Sequence, residues 1–248
     1  MQNIMQSELV TKHHNQAVEP RIRDLLLNAL TVSSGAVDAI SFLALGKVFS
    51  AFMTGNIAFL GLRLAGASGP GVVAIFSSML AFAAGVFLST QIVKHSPGPG
   101  IWPRRVTIAL GVSLIPHAAF VAVWFATNGQ PSIDVAHVLL GLWGLAMGIQ
   151  SAAVRTLHVE GVFTTAATAT VIFLVGDITN WSATAVERRR LAGVLFSLFV
   201  GATAGGLLLV HAHLYAPVLP FVITLMAVTT AAIVLRNPSR RISVAHSI

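Results

Sequence analysis

The stretch GAVDAISFLALGKVFSAFMTGNIAFLGL, Gly35 to Leu62, decides how this chain is read. It sets an acid, Asp38, inside an apolar run, and a short Thr54-Gly55-Asn56 step between two further apolar runs. A carboxylate in hydrocarbon costs several kcal/mol unless it is paired or protonated, so an acid kept there marks a place to look for function.

Composition gives the surroundings of that stretch. Of 248 residues, 55% are hydrophobic and 9% are charged, against roughly 25% charged in an ordinary soluble domain. A soluble chain of this size needs more charge to cover its surface, so most of the outside is expected to face lipid. The net charge is +7. The cations fall between apolar runs rather than along one helix face: Arg21 and Arg23, Lys94 with Arg104 and Arg105, Arg188 to Arg190, and Arg236 with Arg240 and Arg241. That is the topogenic distribution of a membrane protein and argues against a nucleic-acid partner. The chain has no cysteine, which excludes disulfides, thiolate metal sites and cysteine nucleophiles. Residues 1–20 are polar and lack the apolar core of a signal peptide, so the first apolar run is read as a retained anchor.

Eight apolar stretches follow, at roughly 24–45, 50–67, 70–93, 106–127, 133–154, 162–181, 191–213 and 217–235. Turns separate several of them: Ser68-Gly69-Pro70-Gly71, Ser96-Pro97-Gly98-Pro99-Gly100 and Asn128-Gly129-Gln130-Pro131. Eight full crossings would put Lys94, Arg104 and Arg105 on the wrong side. If the second and sixth stretches are short or broken, all four basic clusters share the side of the N-terminus. The turns near Asn128 and His213, which lack Lys and Arg, share the other, and Lys47 and Arg63 are exceptions. The expectation is therefore an all-α polytopic membrane protein with six full spans and two short or broken segments. It has a polar cytoplasmic tail (1–20), a helical transmembrane domain (21–236) and a basic cytoplasmic tail (237–248).

The transmembrane domain divides into two weakly repeated halves, about 21–127 and 133–236. Gly35-Ala36-Val37-Asp38-Ala39 aligns with Gly148-Ile149-Gln150-Ser151-Ala152 at an offset of 113. Val48-Phe49, Thr54, Asn56, Phe59 and Leu60 align with Val162-Phe163, Thr168, Thr170, Phe173 and Leu174 at 114. With three crossings per half the repeats run in opposite directions, a recurrent transporter design with its site where the halves meet.

The Gly35–Leu62 run resembles the signature of the bacterial YoaK-like integral membrane family (DUF1275, UPF0700), and the resemblance covers about residues 24–235. In the second half, relatives tend to carry a Gln-Asn-Ala-type step followed by Thr-Gly-Thr, where this chain reads Gln150-Ser151-Ala152 and Thr168-Ala169-Thr170. Ala169 in the glycine position removes a helix-opening residue. The resemblance implies a bacterial inner-membrane protein and brings no established activity with it.

Candidate site residues follow from the residues themselves. Asp38 is either a proton, cation or substrate site or a structural partner for Lys47, Arg155 or helix-end N–H groups. Gly55 permits a backbone break, and Asn56 can cap the helix that follows it, leaving with Thr54 an exposed helix N-terminus for an anionic or carbonyl group. Gln150, Ser151, Thr168 and Thr170, with Thr164 and Thr165, line the matching region of the second half, or simply bond their own helices. Asp177, with Asn180 and Trp181, reads better as an interfacial anchor than as a proton relay. His117 follows Pro116 inside a span and suits a buried polar network. His211 and His213 lack the spacing and the acid of a metal site. The glycine steps at 141–148 and 201–206 allow close helix contact or a homodimer face.

No phosphate-cradling loop, nucleophile elbow or paired-His zinc motif is present, so neither an enzyme nor a cofactor is predicted. The leading expectation is a secondary transporter for a small solute, coupled to protons or ions through Asp38. The alternative is a non-transporting scaffold or ligand-sensing partner in the same bilayer.

Overall fold

The computed structural model describes residues 2–94, 101–159, 167–180 and 185–235, and the elements among them are all helical. They are α1 (Gln2–Ala44), α2 (Met53–Leu64), α3 (Val72–Val93), α4 (Arg104–Ala126), α5 (Ile133–Arg155), α6 (Ala167–Asn180), α7 (Ala185–His211), a 3-10 turn at His213–Tyr215, and α8 (Val218–Val234). Thr164, Thr165, Trp181 and the basic tail 237–248 lie outside the described residues. The polar segment before Pro20 continues α1 as helix, and the apolar span begins at Pro20.

Among the described residues six helices are long and apolar enough to cross a bilayer: Pro20–Ala44, Val72–Val93, Arg104–Ala126, Ile133–Arg155, Val186–His211 and His213–Val234. At about 1.5 Å per residue, the shortest, of 22 residues, reaches about 33 Å, enough for a hydrocarbon core of about 30 Å. Helix α2 has 12 residues and α6 has 14, which is about 18–21 Å and too short to cross. The protein is thus a polytopic helical membrane protein, with six long helices and two short ones among the described residues.

The direction of each span follows from the core, which forms two apolar clusters. One gathers Leu26, Leu27 and Leu30 from the start of the α1 span, Val93 from the end of α3, and Val106 from the start of α4. Ala153 from the end of α5, Leu191 from the start of α7 and Ala231 from the end of α8 complete it. The other takes the opposite ends: Ile40 of α1, Ile75 of α3, Phe120 and Trp124 of α4, Leu139 of α5, Leu209 of α7, and Ala216 just before α8. So α1, α4 and α7 run one way and α3, α5 and α8 the other, as six alternating crossings require. Phe59 and Leu60 of α2 pack on the second cluster, whereas Leu174 of α6 packs on the first. The two short helices therefore sit at opposite ends of the bundle.

A side-chain clamp fixes the second end. The His213 ring lies 2.7 Å from Gly129 O through Nε2 and 3.3 Å from Leu209 O through Nδ1, while Trp124 Nε1 donates to His213 O at 3.3 Å. The turn after α4 and the turn after α7 thus share one end, as the absence of Lys and Arg from both turns predicts. Gly129 has φ +71, and a Cβ there would stand 2.6 Å from the His213 ring, so both its backbone and its space call for glycine.

The halves interlock by exchange. Helix α1 lies against α7 of the second half, and α5 lies against α3 of the first. Both contacts are made by glycine, in matching registers. A Cβ on Gly35 would collide with Leu198 O and crowd Ala202 N; a Cβ on Gly148 would collide with Phe82 O and crowd Val86 N. Gly148 stands 113 residues after Gly35, and Leu198 and Ala202 stand 116 after Phe82 and Val86. The reciprocal pair holds too, with Gly85 against Leu145 O and Gly201 against Val32 O. These backbone-on-backbone contacts show that the weak sequence repeat is a structural one, and that it extends to α3 and α7. They also occupy much of both glycine steps within the chain, so a homodimer would need another face.

Candidate functional site

Asp38 stands six residues before the end of α1, about 9 Å from that end, between Val37 and Ile40 of the second apolar cluster. It is half-buried, and its Oδ1 accepts from Ser50 N at 2.8 Å and Ala51 N at 2.7 Å. It makes no ion pair with Lys47 or Arg155, unlike Asp24, which pairs with Arg23 and Arg190. Of the structural roles open to it, binding N–H groups ahead of a helix is the one observed. Lys47 instead places its ammonium 5.2 Å from the centre of the Phe42 ring.

Asn56 acts on the same loop. It is fully buried, receives Phe49 N on Oδ1 at 3.0 Å, and donates from Nδ2 to Phe49 O at 2.7 Å. Its amide thereby satisfies both polar groups of one residue, as a neighbouring strand would. Ser78 Oγ donates to the same carbonyl at 2.7 Å, and Ser41 and Ser50 pair at 2.8 Å.

Here the sequence expectation needs correcting. Asn56 does not cap α2; the N-cap residue is Phe52, with no side-chain cap. Gly55 does not break the helix either. It lies within α2, where a Cβ would stand 2.6 Å from the Phe52 ring and 3.1 Å from Phe49, so it makes room for an aromatic cluster. Thr54 is exposed.

The matching residues of the second half lie elsewhere. Ser151 donates to Met147 O in its own helix at 2.7 Å. Thr168 is exposed, and Thr170 is fully buried with no partner for its hydroxyl. Both threonines are on α6, at the opposite end from α2. Inversion puts equivalent positions at opposite ends, and neither short helix is long enough to bring them together. Thr54, Gly55 and Asn56 therefore do not share a site with Thr168 and Thr170. Asp177 belongs to α6, and its side chain lies outside what is described.

Fully buried polar groups also lie along four of the spans, most of them at levels between the two apolar clusters, with Gln150 beside Ile149 of the first. On α1 they are Ser33 and Ser34, on α4 Ser113 and His117, on α5 Gln150, and on α8 Thr224, and all are 0% exposed. Ser33 Oγ pairs with Thr224 Oγ1 at 2.9 Å and reaches Pro220 O at 3.1 Å, joining one half to the other. Gln150 Nε2 donates to Leu30 O at 3.2 Å, again between halves.

Several atoms of this layer have no hydrogen-bond partner: Ser34 Oγ, both ring nitrogens of His117, Gln150 Oε1 and Trp143 Nε1. Helix register spreads them over about 10 Å of depth. The Phe120 and Trp143 rings stack at 3.5 Å, fixing α4 against α5. His117 is about one turn from Phe120, and Gln150 about two turns from Trp143, both toward the first cluster. Ser34 is one turn beyond Leu30, the residue that Gln150 binds. Sequence reading found Gln150 and His117 but missed Ser34 and Trp143. A tryptophan at the middle of a span, away from the interfaces where Trp concentrates, was the available signal.

Comparison with known proteins decides the family. The family described as "Protein of unknown function (DUF1275)" matches residues 26–231. The chain belongs to the DUF1275 family. It is also 34% identical, over 158 residues, to the "UPF0700 transmembrane protein YoaK" of Bacillus subtilis (strain 168), covering 64% of this chain and 68% of that protein. No solved structure matches. The DUF1275 match begins at the start of the first apolar cluster and ends at its last α8 residue, Ala231. It therefore takes in both halves and the polar layer between them.

Proposed function

We propose that this DUF1275 protein is a secondary transporter for a small solute, working in the bacterial inner membrane with both termini in the cytoplasm. The observation that carries the reading is the inverted, exchanged packing of two halves around a mid-depth layer of unpartnered polar atoms. Transporters built from inverted repeats bind near the midplane, where the halves meet, and expose that point to each side by rocking one part against the other. Orientation follows from charge. Arg21, Arg23, Lys94, Arg104, Arg105, Arg155 and Arg188 to Arg190 lie at or beyond the end marked by the first apolar cluster, which the positive-inside rule assigns to the cytoplasm.

The geometry shifts emphasis within this reading. The clearest acid, Asp38, gives one oxygen to the 45–52 loop, so solute binding falls to Gln150, His117 and their neighbours. Protonation of Asp38 would leave the 45–52 loop an acceptor but remove the charge that strengthens both bonds, which is the link through which this acid could couple. One observation favours the second reading, a non-transporting scaffold or ligand-sensing partner: Asp38 and Asn56 are both committed to holding a loop. The test is solute flux into proteoliposomes. Flux above that of empty vesicles, lost on Gln150→Leu with protein level unchanged, supports transport; no flux for any solute supports the scaffold.

A further inference from the structure

The polar layer also specifies the chemistry of what it can hold, a step that rests on the transport reading. We infer that the site takes an uncharged small molecule bearing both hydrogen-bond donors and acceptors, such as an amide, a urea-like compound or a nucleobase. The fully buried polar side chains of the layer are hydroxyls, an amide, an indole and the His117 imidazole: there is no Asp, Glu, Lys or Arg among the described buried residues. A buried ion without a counter-charge costs several kcal/mol, so neither a carboxylate nor an ammonium would find compensation there.

The unpartnered atoms define the complement. Trp143 Nε1 only donates, Gln150 Oε1 only accepts, Ser34 Oγ does either, and a neutral His117 ring offers one nitrogen of each kind. A ligand must therefore present an acceptor toward Trp143 and a donor toward Gln150. Those two residues are seven apart on α5, so they lie on one stripe of the helix about 10 Å apart along its axis. His117 stands at an intermediate depth on the adjoining helix. The span suits a molecule of a few heavy atoms and excludes an extended peptide.

The fixed part of the binding set is already held. Ser33, Thr224 and the Gln150 amide nitrogen are satisfied by bonds across the two halves. The orphaned atoms are the remainder, and an unmet polar group in a core costs about 1–3 kcal/mol. Occupation by a solute with the complementary pattern removes several such costs at once. It also joins α1, α4 and α5, helices from both halves, so that binding and the relation of the halves are linked.

The test uses the full-length protein in detergent and in proteoliposomes. The probes are acetamide, uracil and glycerol as uncharged solutes, and acetate and methylammonium as charged ones. The expected result is that at least one uncharged probe raises the melting temperature of wild type and crosses the membrane faster than in empty vesicles. Both effects should fall at least tenfold in apparent affinity for Gln150→Leu and for Ser34→Ala. The second variant is small enough to keep the fold if the first does not. A response to the charged probes alone overturns the inference while transport itself stands. A wild-type response unaltered in a folded variant overturns the placement of the site. No response to either class, with the variants changing only stability, overturns both and assigns the layer to trapped water.

Discussion

At the residue scale, Asp38 and Asn56 show how a membrane protein holds irregular backbone. Between α1 and α2 the N–H groups of Phe49, Ser50 and Ala51 are met by side chains rather than by a helix, and unmet groups are costly where water is scarce. Asp38 takes the N–H groups of Ser50 and Ala51, and Asn56 takes both polar groups of Phe49. Asp38→Ala strands two donors at about 1–3 kcal/mol each and should lower the melting temperature by at least about 4 °C. Asp38→Asn keeps an acceptor in place and should be milder. If Asp38→Asn abolishes flux at normal stability, the carboxyl has a coupling role beyond the loop; if it lowers stability and flux together, its role is structural. Asn56→Asp, which loses the donor to Phe49 O and sets a carboxylate against it, should be worse than Asn56→Ala in the same melting assay.

At the element scale, the exchanged pairs α1 with α7 and α3 with α5 depend on absent side chains. Adding a methyl group at Gly35 or Gly148 forces backbone apart and should cost about 1–3 kcal/mol at each. Gly61 and Gly111 are helical, with open space where a methyl group would stand, and alanine there should be neutral or stabilise by about 0.5–1 kcal/mol. Thermal unfolding of the four alanine variants checks this, and equal effects at all four sites would contradict the packing. Sequence reading reached the six spans and two short helices because charge placement and helix length are visible in one dimension. It reached the repeat through Gly35 and Gly148, whose neighbours align. It misplaced the roles of Gly55 and Asn56, because a Thr-Gly-Asn step is compatible with both a helix start and a helix interior. What decides between them is the Phe49 backbone and the Phe52 ring, contacts with no local signature. His213 was dismissed as a poor metal ligand; its partner Gly129 is distant in sequence and lies in a turn with no apparent link to it.

At the scale of the whole molecule, the architecture is two inverted three-span halves, each lending its first helix to the other. The polar layer between the apolar clusters is a product of that arrangement, since Gln150 binds Leu30 and Ser33 binds Thr224 from opposite halves. Cutting the Ser33–Thr224 tie with Thr224→Val leaves Ser33 its bond to Pro220 O and should cost about 1 kcal/mol, checked by melting. The absence of native cysteine makes the topology directly accessible. Single cysteines at Gln130, Tyr215, Lys94 and Arg155, all exposed positions, would be labelled with a membrane-impermeant maleimide in sealed vesicles of known orientation. The account predicts that positions 130 and 215 react from the outer side, and 94 and 155 only after the inner side is opened. Labelling of 130 and 215 from opposite sides would contradict the six-crossing, inverted arrangement and the central site built on it.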